Sequence, residues 1–329
     1  MAEIQPLARA EAIASPTPSG AAWRRFRANR PAYLSLWMLG LITLLVVGWP
    51  LVLKVAPCTG AKGSRFAEQY QPEKLSDAQF QPPSSRHWFG TDVHGRELFS
   101  RVFYGAQVSL LVGIVGTAVS LVIGVLWGAV AGYAGGRLDN LMMRIVDVLY
   151  SLPSIIFVIV LITTLEGMLK QWLSAAGSPG LGKIARLLFL FVGLGAVSWL
   201  TMARIVRGQV LSLRQRPFVD ASRALGAGPW HILRMHIVPN TMGVVIVYLT
   251  LTIPAIILYE SFLSYLGLGI QPPMASWGSL ISEGADQINP IRIYWWLITF
   301  PGAFLVITLL ALNFIGDGLR DAWDVRGNT

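Results

Sequence analysis

Long apolar stretches without a charged residue are the feature that most constrains how this chain can fold. A helix needs about 20 residues to cross the hydrocarbon core of a bilayer. Six stretches reach or approach that length: Leu34–Leu53, Val108–Gly132, Val148–Leu165, Leu187–Ala203, Met242–Tyr259 and Ile293–Ile315. The sequence therefore predicts an all-α integral membrane protein with six transmembrane helices.

The composition excludes the soluble classes of protein. Hydrophobic residues make up 54% of the chain and charged residues only 13%, about half the charged share of a soluble domain. So few charges cannot coat a soluble enzyme of this size. The 26 Lys and Arg are scattered between the apolar stretches, whereas nucleic-acid binders present dense basic faces. We therefore expect the lipid bilayer as a partner and no nucleic acid.

Flanking charges predict the orientation in the membrane. Residues 1–33 are predicted to be a polar, loop-like cytoplasmic arm and not a cleavable signal peptide, because arginines cluster directly before the first span. With six spans, 15 of the 26 Lys and Arg would lie inside and 11 outside. We expect both termini in the cytoplasm, a first span at 34–53, an extracytoplasmic segment at 54–107 and a core at 108–329.

Small residues and prolines mark special positions within the spans. Gly124, Gly128 and Gly132 recur every four residues, which predicts close approach of another helix to the second span. Prolines inside spans predict kinks or cavity-lining breaks. They stand at Pro153, Pro254 and Pro301.

Several motifs of enzyme chemistry are incomplete. The segment from Gly177 to Ile184 almost spells a phosphate-binding loop, but Ile184 replaces the hydroxyl that holds Mg²⁺ and no strand precedes it. We interpret it as a hairpin between the third and fourth spans. The four histidines lack metal-ligand spacing, and no nucleophile elbow is present. We expect no catalytic residue, no metal site and no cofactor.

The longest predicted cytoplasmic loop, residues 204–241, carries two helix signals. Pro217 breaks the helix that leaves the membrane, and a short helix is predicted over Val219–Leu225 with Gly226 as its stop. A second helix is predicted from Pro229, with Pro239 ending it. Loops of this length are usually functional or disordered, and two capped helices favour a function.

The same loop resembles the EAA loop of binding-protein-dependent ABC importer permeases. That motif reads Glu-Ala-Ala, three residues, Gly, nine residues and Ile-x-Leu-Pro. The matching residues are Asp220-Ala221-Ser222, Gly226 and Val238-Pro239. Asp220, Ser222, His236 and Val238 replace the Glu, second Ala, Ile and Leu of the motif.

Three further blocks resemble the dipeptide, oligopeptide and nickel subfamily, and specifically its second, C-type permease. They are Phe89–Leu110, Ser264–Gly278 and Gly316–Ala322. Glu97 and Gln107 depart from the Asp and Arg of the subfamily. The resemblance runs from about Trp23 to Arg326, and the stretch 166–186 looks longer than the connection in the family.

The resemblance implies a type I ABC importer permease in the bacterial cytoplasmic (inner) membrane. The cargo would be oligopeptides or dipeptides, or alternatively nickel chelates, glutathione or another small solute. Implied partners are a second homologous permease subunit, two ATP-binding subunits and an extracytoplasmic substrate-binding protein. Coupling to the ATPase is implied for a set of loop residues: Asp220, Ala221, Ser222, Ala224, Leu225, Gly226 and Pro239.

Competing interpretations concern the whole chain and one residue. A self-sufficient channel would show polar rings, and a membrane enzyme would show converging ionisable residues in its spans. A structural scaffold would not need the capped loop. Glu260 closes the fifth span near its predicted outer edge. It either lines the translocation pathway or hydrogen-bonds a neighbouring helix.

Overall fold

The computed structural model describes residues 18–175, 182–272 and 274–323. In these ranges the chain is helical, without a β-strand, and one isolated β-bridge joins Thr91 to Glu97. A 3-10 turn at Ala56–Thr59 and a π-helical turn at Leu233–Ile237 interrupt the α-helices. The helices are α1 (Pro18–Ala28), α2 (Arg30–Val55), α3 (Ala61–Gln69), α4 (Leu98–Ala134), α5 (Gly136–Ser151), α6 (Ser154–Ala175), α7 (Gly182–Leu213), α8 (Pro217–Ala224), α9 (Pro229–Ile232), α10 (Val238–Tyr265), α11 (Trp277–Ala285) and α12 (Trp296–Trp323).

Four helical segments of the described chain are long and apolar enough to cross a membrane. They are Arg30–Thr59, Leu98–Ala134, Pro229–Tyr265 and Trp296–Trp323, and the bent pair α5–α6 would make a fifth. These segments contain the first, second, fifth and most of the sixth predicted spans. The fourth predicted span lies within the 32-residue helix α7. The all-helical prediction is confirmed for the described ranges, and the count of six spans stays a prediction.

The third predicted span, Val148–Leu165, is not one straight helix, which agrees with the break predicted at Pro153. α5 and α6 meet at an angle of 95°. Leu152 is extended, with φ −76° and ψ 139°, because a residue that precedes a proline is pushed out of the helical region. Pro153 itself has no amide to continue the hydrogen-bond ladder. The chain therefore turns sharply here and restarts as α6.

α4 and α7 pack backbone to backbone along the predicted glycines. A Cβ atom built on Gly128 would overlap the carbonyl oxygen of Ala203. The same atom on Gly124 would lie 2.6 Å from Met202 Cβ, and on Gly132 2.9 Å from the carbonyl oxygen of Arg207. No side chain larger than hydrogen fits at these distances, so the prediction of a close helix approach is confirmed.

The N-terminal arm departs from the loop-like prediction, because residues 18–28 form α1. Phe26 is 2% exposed and packs on Gly318 of α12, while Trp23 stacks on Phe26 with ring centroids 5.6 Å apart. The Asn29 side chain then caps α2 by accepting the amide of Ala32 at 3.3 Å. The apolar face of α1, which packs on α12, is not evident from the polar composition of this segment.

The segment at 54–107 packs against the C-terminal end of α2 and the N-terminal end of α4. An aromatic cluster holds it there, with the ring of Trp49 in contact with the rings of Phe66, Tyr70 and Phe99. Burial, with the nearby carboxylate of Glu97, raises the pKa of Tyr70 to about 12. Its hydroxyl therefore stays protonated and donates to the carbonyl oxygen of Arg86 at 3.0 Å.

α4 is longer than a membrane span requires. At about 1.5 Å per residue, a helix of 37 residues is roughly 55 Å long and exceeds the hydrocarbon core of a bilayer.

The described Cys58 is exposed and free. The hairpin predicted at Gly177–Ile184 falls mostly on residues 176–181, which lie outside the described residues, as do Pro273 and 324–329.

Candidate functional site

The predicted coupling loop contains the two helices expected of it. α8 begins at Pro217, two residues before the predicted start, because proline fits the first turn of a helix. Arg216 before it is extended, with φ −84° and ψ 145°. Only Val219 of α8 is buried. Most of the surface of this helix is therefore exposed, although the guanidinium of Arg223 lies over the ring of Tyr133.

Gly226 ends α8 in the left-handed region, at φ +84°. Its amide donates to the carbonyl oxygen of Arg223 at 2.9 Å, and the amide of Ala227 donates to that of Ser222 at 3.0 Å. These two bonds are the Schellman pattern, which satisfies the last carbonyl groups of a helix. The predicted stop is confirmed, and the turn redirects the chain towards α9.

The residues predicted to couple to an ATPase lie together on the outer surface of this loop. Asp220 is exposed in the first turn of α8 and pairs with Arg223 at 3.2 Å. The hydroxyl of Ser222 donates to the carbonyl oxygen of Phe218 at 2.9 Å. The others of the set are exposed: Ala221, Ala224, Leu225, Gly226 and Pro239.

Large apolar side chains are exposed on the same surface. Leu225 is 89% exposed and Trp230 is 62% exposed, with Phe218 and Met235 nearby in the chain and also exposed. Outside the lipid, exposed apolar patches of this kind mark protein–protein contacts. The loop surface is therefore suited to docking and carries no group arranged for chemistry.

Pro239 does not end a helix, contrary to the sequence-based prediction. The chain is helical from Pro229 to Tyr265, and the amide of Val238 bonds the carbonyl oxygen of Leu233, five residues earlier. Pro239 lies in the first turn of α10, where its missing amide is tolerated. The wide π-helical turn gives room for the proline ring. α9, the π-helical turn and α10 thus form one continuous helical rod, which the turn at Gly226 joins to α8.

Comparison with known families identifies the family of the chain that contains this loop. Residues 124–326 match the family described as "Binding-protein-dependent transport system inner membrane component". Residues 17–83 match "N-terminal TM domain of oligopeptide transport permease C". The chain belongs to this inner-membrane permease family. The second match identifies it as a C-type permease, and it is a transport component rather than an enzyme.

Relatives of the permease share its sequence over nearly the whole length. It is 42% identical over 305 residues to the dipeptide transport system permease protein DppC of Bacillus subtilis, covering 93% of this chain and 85% of that protein. It is 44% identical over 304 residues to the oligopeptide transport system permease protein OppC of Escherichia coli K12, covering 92% and 89%. A solved structure of the MetNI methionine ABC transporter covers 68% of this chain and 97% of its own, at 22% identity and a TM-score of 0.48.

The side chain of Glu260, on α10 of the permease, is buried against α4. Its carboxylate accepts hydrogen bonds from the hydroxyls of Ser264 at 2.6 Å and Ser109 at 3.1 Å. Ser109 in turn accepts the backbone amide of Trp277 at 3.2 Å. These contacts are those of a helix–helix hydrogen bond, the second interpretation of Glu260. A role in lining the translocation pathway stays a prediction.

A buried ion cluster at the N-terminal end of α4 was missed by sequence reasoning. Asp92 accepts from the guanidinium groups of Arg96 and Arg101, each at 2.7 Å, and from the backbone amides of His94 and Arg96. Arg101 also reaches Glu283 of α11, with contacts of 2.6 and 2.9 Å. Two cations thus face two anions, and the cluster ties the 54–107 segment to α4 and α11.

A second missed set of charges joins α5 to α7 near the coupling loop. Arg207 contacts both oxygens of the nearly buried Asp139, at 2.5 and 2.7 Å. Arg204 pairs with Asp147 at 2.7 Å. These pairs were not singled out from the sequence. Finding these pairs requires knowing that α5 and α7 lie side by side, which a single sequence does not show.

Proposed function

We propose that this permease is one of two membrane subunits of a type I ABC importer for oligopeptides or dipeptides. The observation that carries the cargo is its 42–44% identity to permeases named for dipeptide and oligopeptide transport, over more than nine-tenths of the chain. Nickel chelates, glutathione or another small solute are the alternative cargo within the same architecture. The partners are a second permease, two ATP-binding subunits and an extracytoplasmic substrate-binding protein.

Coupling in this proposal runs through the exposed surface of α8. An ATP-binding subunit receives Leu225, Phe218 and Trp230, which are otherwise left exposed to water. Motion of that subunit then reaches α10 along the continuous rod through the π-helical turn. The permease itself supplies a path and a lever, and the ATP-binding subunits supply the energy.

Six spans with both termini in the cytoplasm complete the proposal. In this topology the arm at 1–33 is cytoplasmic, the first span is 34–53 and the segment at 54–107 is extracytoplasmic. The core follows at 108–329 and contains the coupling loop at 204–241. Exposed Arg25 and Arg27 in the last turn of α1 support an inside N-terminus. The aromatic cluster around Trp49 then faces the exterior.

Cysteine labelling tests this topology. In a Cys58→Ser background, Ser84→Cys in intact cells is expected to react with a membrane-impermeant maleimide, because residue 84 is exposed and extracytoplasmic. Leu225→Cys, 89% exposed, is expected to react only after the membrane is opened. Opened membranes in which both positions react are the control. Reaction at 225 in intact cells, or protection at 84, contradicts the orientation.

Reconstitution tests the dependence on partners. The purified permease in liposomes is expected neither to hydrolyse ATP nor to accumulate a labelled tripeptide. Adding the companion permease, the two ATP-binding subunits and the binding protein is expected to restore ATP-dependent uptake, measured as trapped label and released phosphate. Substantial uptake by the lone chain contradicts the permease-subunit proposal. Hydrolysis without accumulation of peptide by the full assembly contradicts only the peptide cargo.

A further inference from the structure

A cavity of about 440 Å³ opens between the α5–α6 bend, α7 and α10. This volume is within the range of about 300–1,000 Å³ that small-molecule sites occupy. The bend at Leu152 brings one wall into place, with Tyr150 before it and Ser154 after it. Irregular backbone at membrane depth is tolerated where it is buried in protein or lines a water-filled cavity. The sharp bend at this space is therefore what is expected beside a water-filled cavity.

The cavity wall combines apolar side chains with hydroxyl groups and contains no charged side chain among the described residues that line it. α10 contributes Tyr248, Thr252 and Tyr259 at helical spacing, so these residues share one face. α7 contributes Ser198 and Thr201. A wall of this kind offers many hydrogen bonds and no fixed charge.

Most of these hydroxyls are not used by the permease itself. Ser198 and Thr252 donate to carbonyl oxygens of their own helices, at 3.1 and 2.7 Å, and keep their acceptor lone pairs. Within the described residues, the hydroxyls of the other five make no hydrogen bond: Tyr150, Ser154, Thr201, Tyr248 and Tyr259. Polar groups pair with water or ligand where the protein offers no partner.

A pair of opposite charges lies beside the cavity residue Tyr150. The guanidinium of Arg204 lies 4.1 Å from the centroid of the Tyr150 ring. Arg204 is paired with Asp147 at 2.7 Å. The field in the cavity is therefore set by hydroxyl dipoles and not by a net charge.

We infer that this cavity is the part of the solute path that this permease lines. Its hydroxyls bind the backbone amides of the transported peptide and do not select the charge of the peptide's side chains. A hydroxyl both donates and accepts, so it pairs with either an N–H or a C=O group. Every peptide carries these groups at regular spacing, whatever its side chains, and the apolar wall residues contact those side chains. This inference rests on the proposed function as a peptide importer.

Installing a charge in the wall tests the inference. The complete transporter is assembled in liposomes with the tripeptides Ala-Ala-Ala, Ala-Lys-Ala and Ala-Asp-Ala, and the uptake of each peptide is divided by its wild-type uptake. Thr201→Asp is expected to lower the normalised uptake of Ala-Asp-Ala relative to Ala-Lys-Ala by about tenfold, because a carboxylate in a site of low dielectric repels a like charge strongly. Thr201→Lys is expected to reverse that order.

Thr201→Asn is the matched control, since it has nearly the size of aspartate without the charge, and it is expected to leave the three normalised uptakes equal. A second, isosteric test removes hydroxyls without adding charge. The triple variant Tyr248→Phe, Tyr259→Phe and Thr252→Val is expected to lower all three uptakes by a similar factor. Its assembly with the partners and its ATP hydrolysis check that it folds.

Two results overturn the inference while the proposed function stands. One is equal normalised uptake of all three peptides in the Asp and Lys variants, and the other is unchanged uptake in the assembled triple variant. A wild-type transporter that hydrolyses ATP but accumulates none of the three peptides is a different result. It overturns the peptide cargo and, with it, this inference.

Discussion

Gly226→Val is expected to abolish uptake by the assembled transporter, lowering it by about tenfold or more, while the permease still inserts and folds. Gly226 holds φ +84°, a region in which a β-branched side chain costs about 1–3 kcal/mol. No atom lies within 4 Å of the position of an added Cβ, so the substitution strains the turn without a clash. Relief of that strain unwinds the end of α8, which displaces the docking surface. Uptake and co-purification of the ATP-binding subunits measure the loss.

Gly228→Val provides the matched control two residues away. Gly228 is extended, with φ −67° and ψ 156°, and an added Cβ there also meets open space. Valine adopts this conformation readily, so near-normal uptake is expected. Gly226→Asn is expected to fall between the two, because asparagine tolerates the left-handed region better than valine. Normal uptake in Gly226→Val would remove the Schellman turn from the coupling mechanism.

Gly128→Leu is expected to destabilise the permease itself. Its side chain would have to occupy space filled by the Ala203 carbonyl and the side chain of Val206 on α7. Because backbone cannot rotate away as a side chain can, we expect a loss of about 3 kcal/mol or more. This lowers the melting temperature of the purified chain in detergent by roughly 10 °C, measured as the fraction that remains monodisperse after heating.

Gly208→Leu is the control for that substitution. Gly208 lies on the partner helix, α7, but is exposed, and no atom lies within 4 Å of an added Cβ. Leucine is a better helix former than glycine, so an equal or slightly higher melting temperature is expected. Equal loss in the two variants would mean that leucine, and not the close approach of α4 and α7, causes the effect.

Features that depend on local chemistry were predictable from the sequence. The apolar stretches place the spans within helices, because length and hydropathy suffice for that purpose. Pro217, Gly226 and Pro229 mark the limits of α8 and the start of α9, since each acts through its own backbone. The spacing of Gly124, Gly128 and Gly132 likewise predicts a contact surface on α4 before the partner helix is known.

Features that depend on distant partners were not predictable in this way. Arg101 and Glu283 form part of one buried cluster although 182 positions separate them. α1 forms because Phe26 finds a place on Gly318, far along the chain. Pro239 misled the prediction, because the effect of a proline depends on whether it follows a loop or a wide helical turn. The cavity hydroxyls belong to separate helices, and only the fold brings them to one wall.

The π-helical turn at Leu233–Ile237 also sets the direction in which α9 and α8 point relative to α10. A helix rotates by about 100° for each residue, and the five-residue turn shifts the hydrogen-bond ladder by one residue. In the proposed assembly, α8 and α9 therefore approach the ATP-binding subunit about a quarter-turn away from where an unbroken α-helix would aim them. A difference of one residue in this turn would therefore change which face of α8 and α9 is presented.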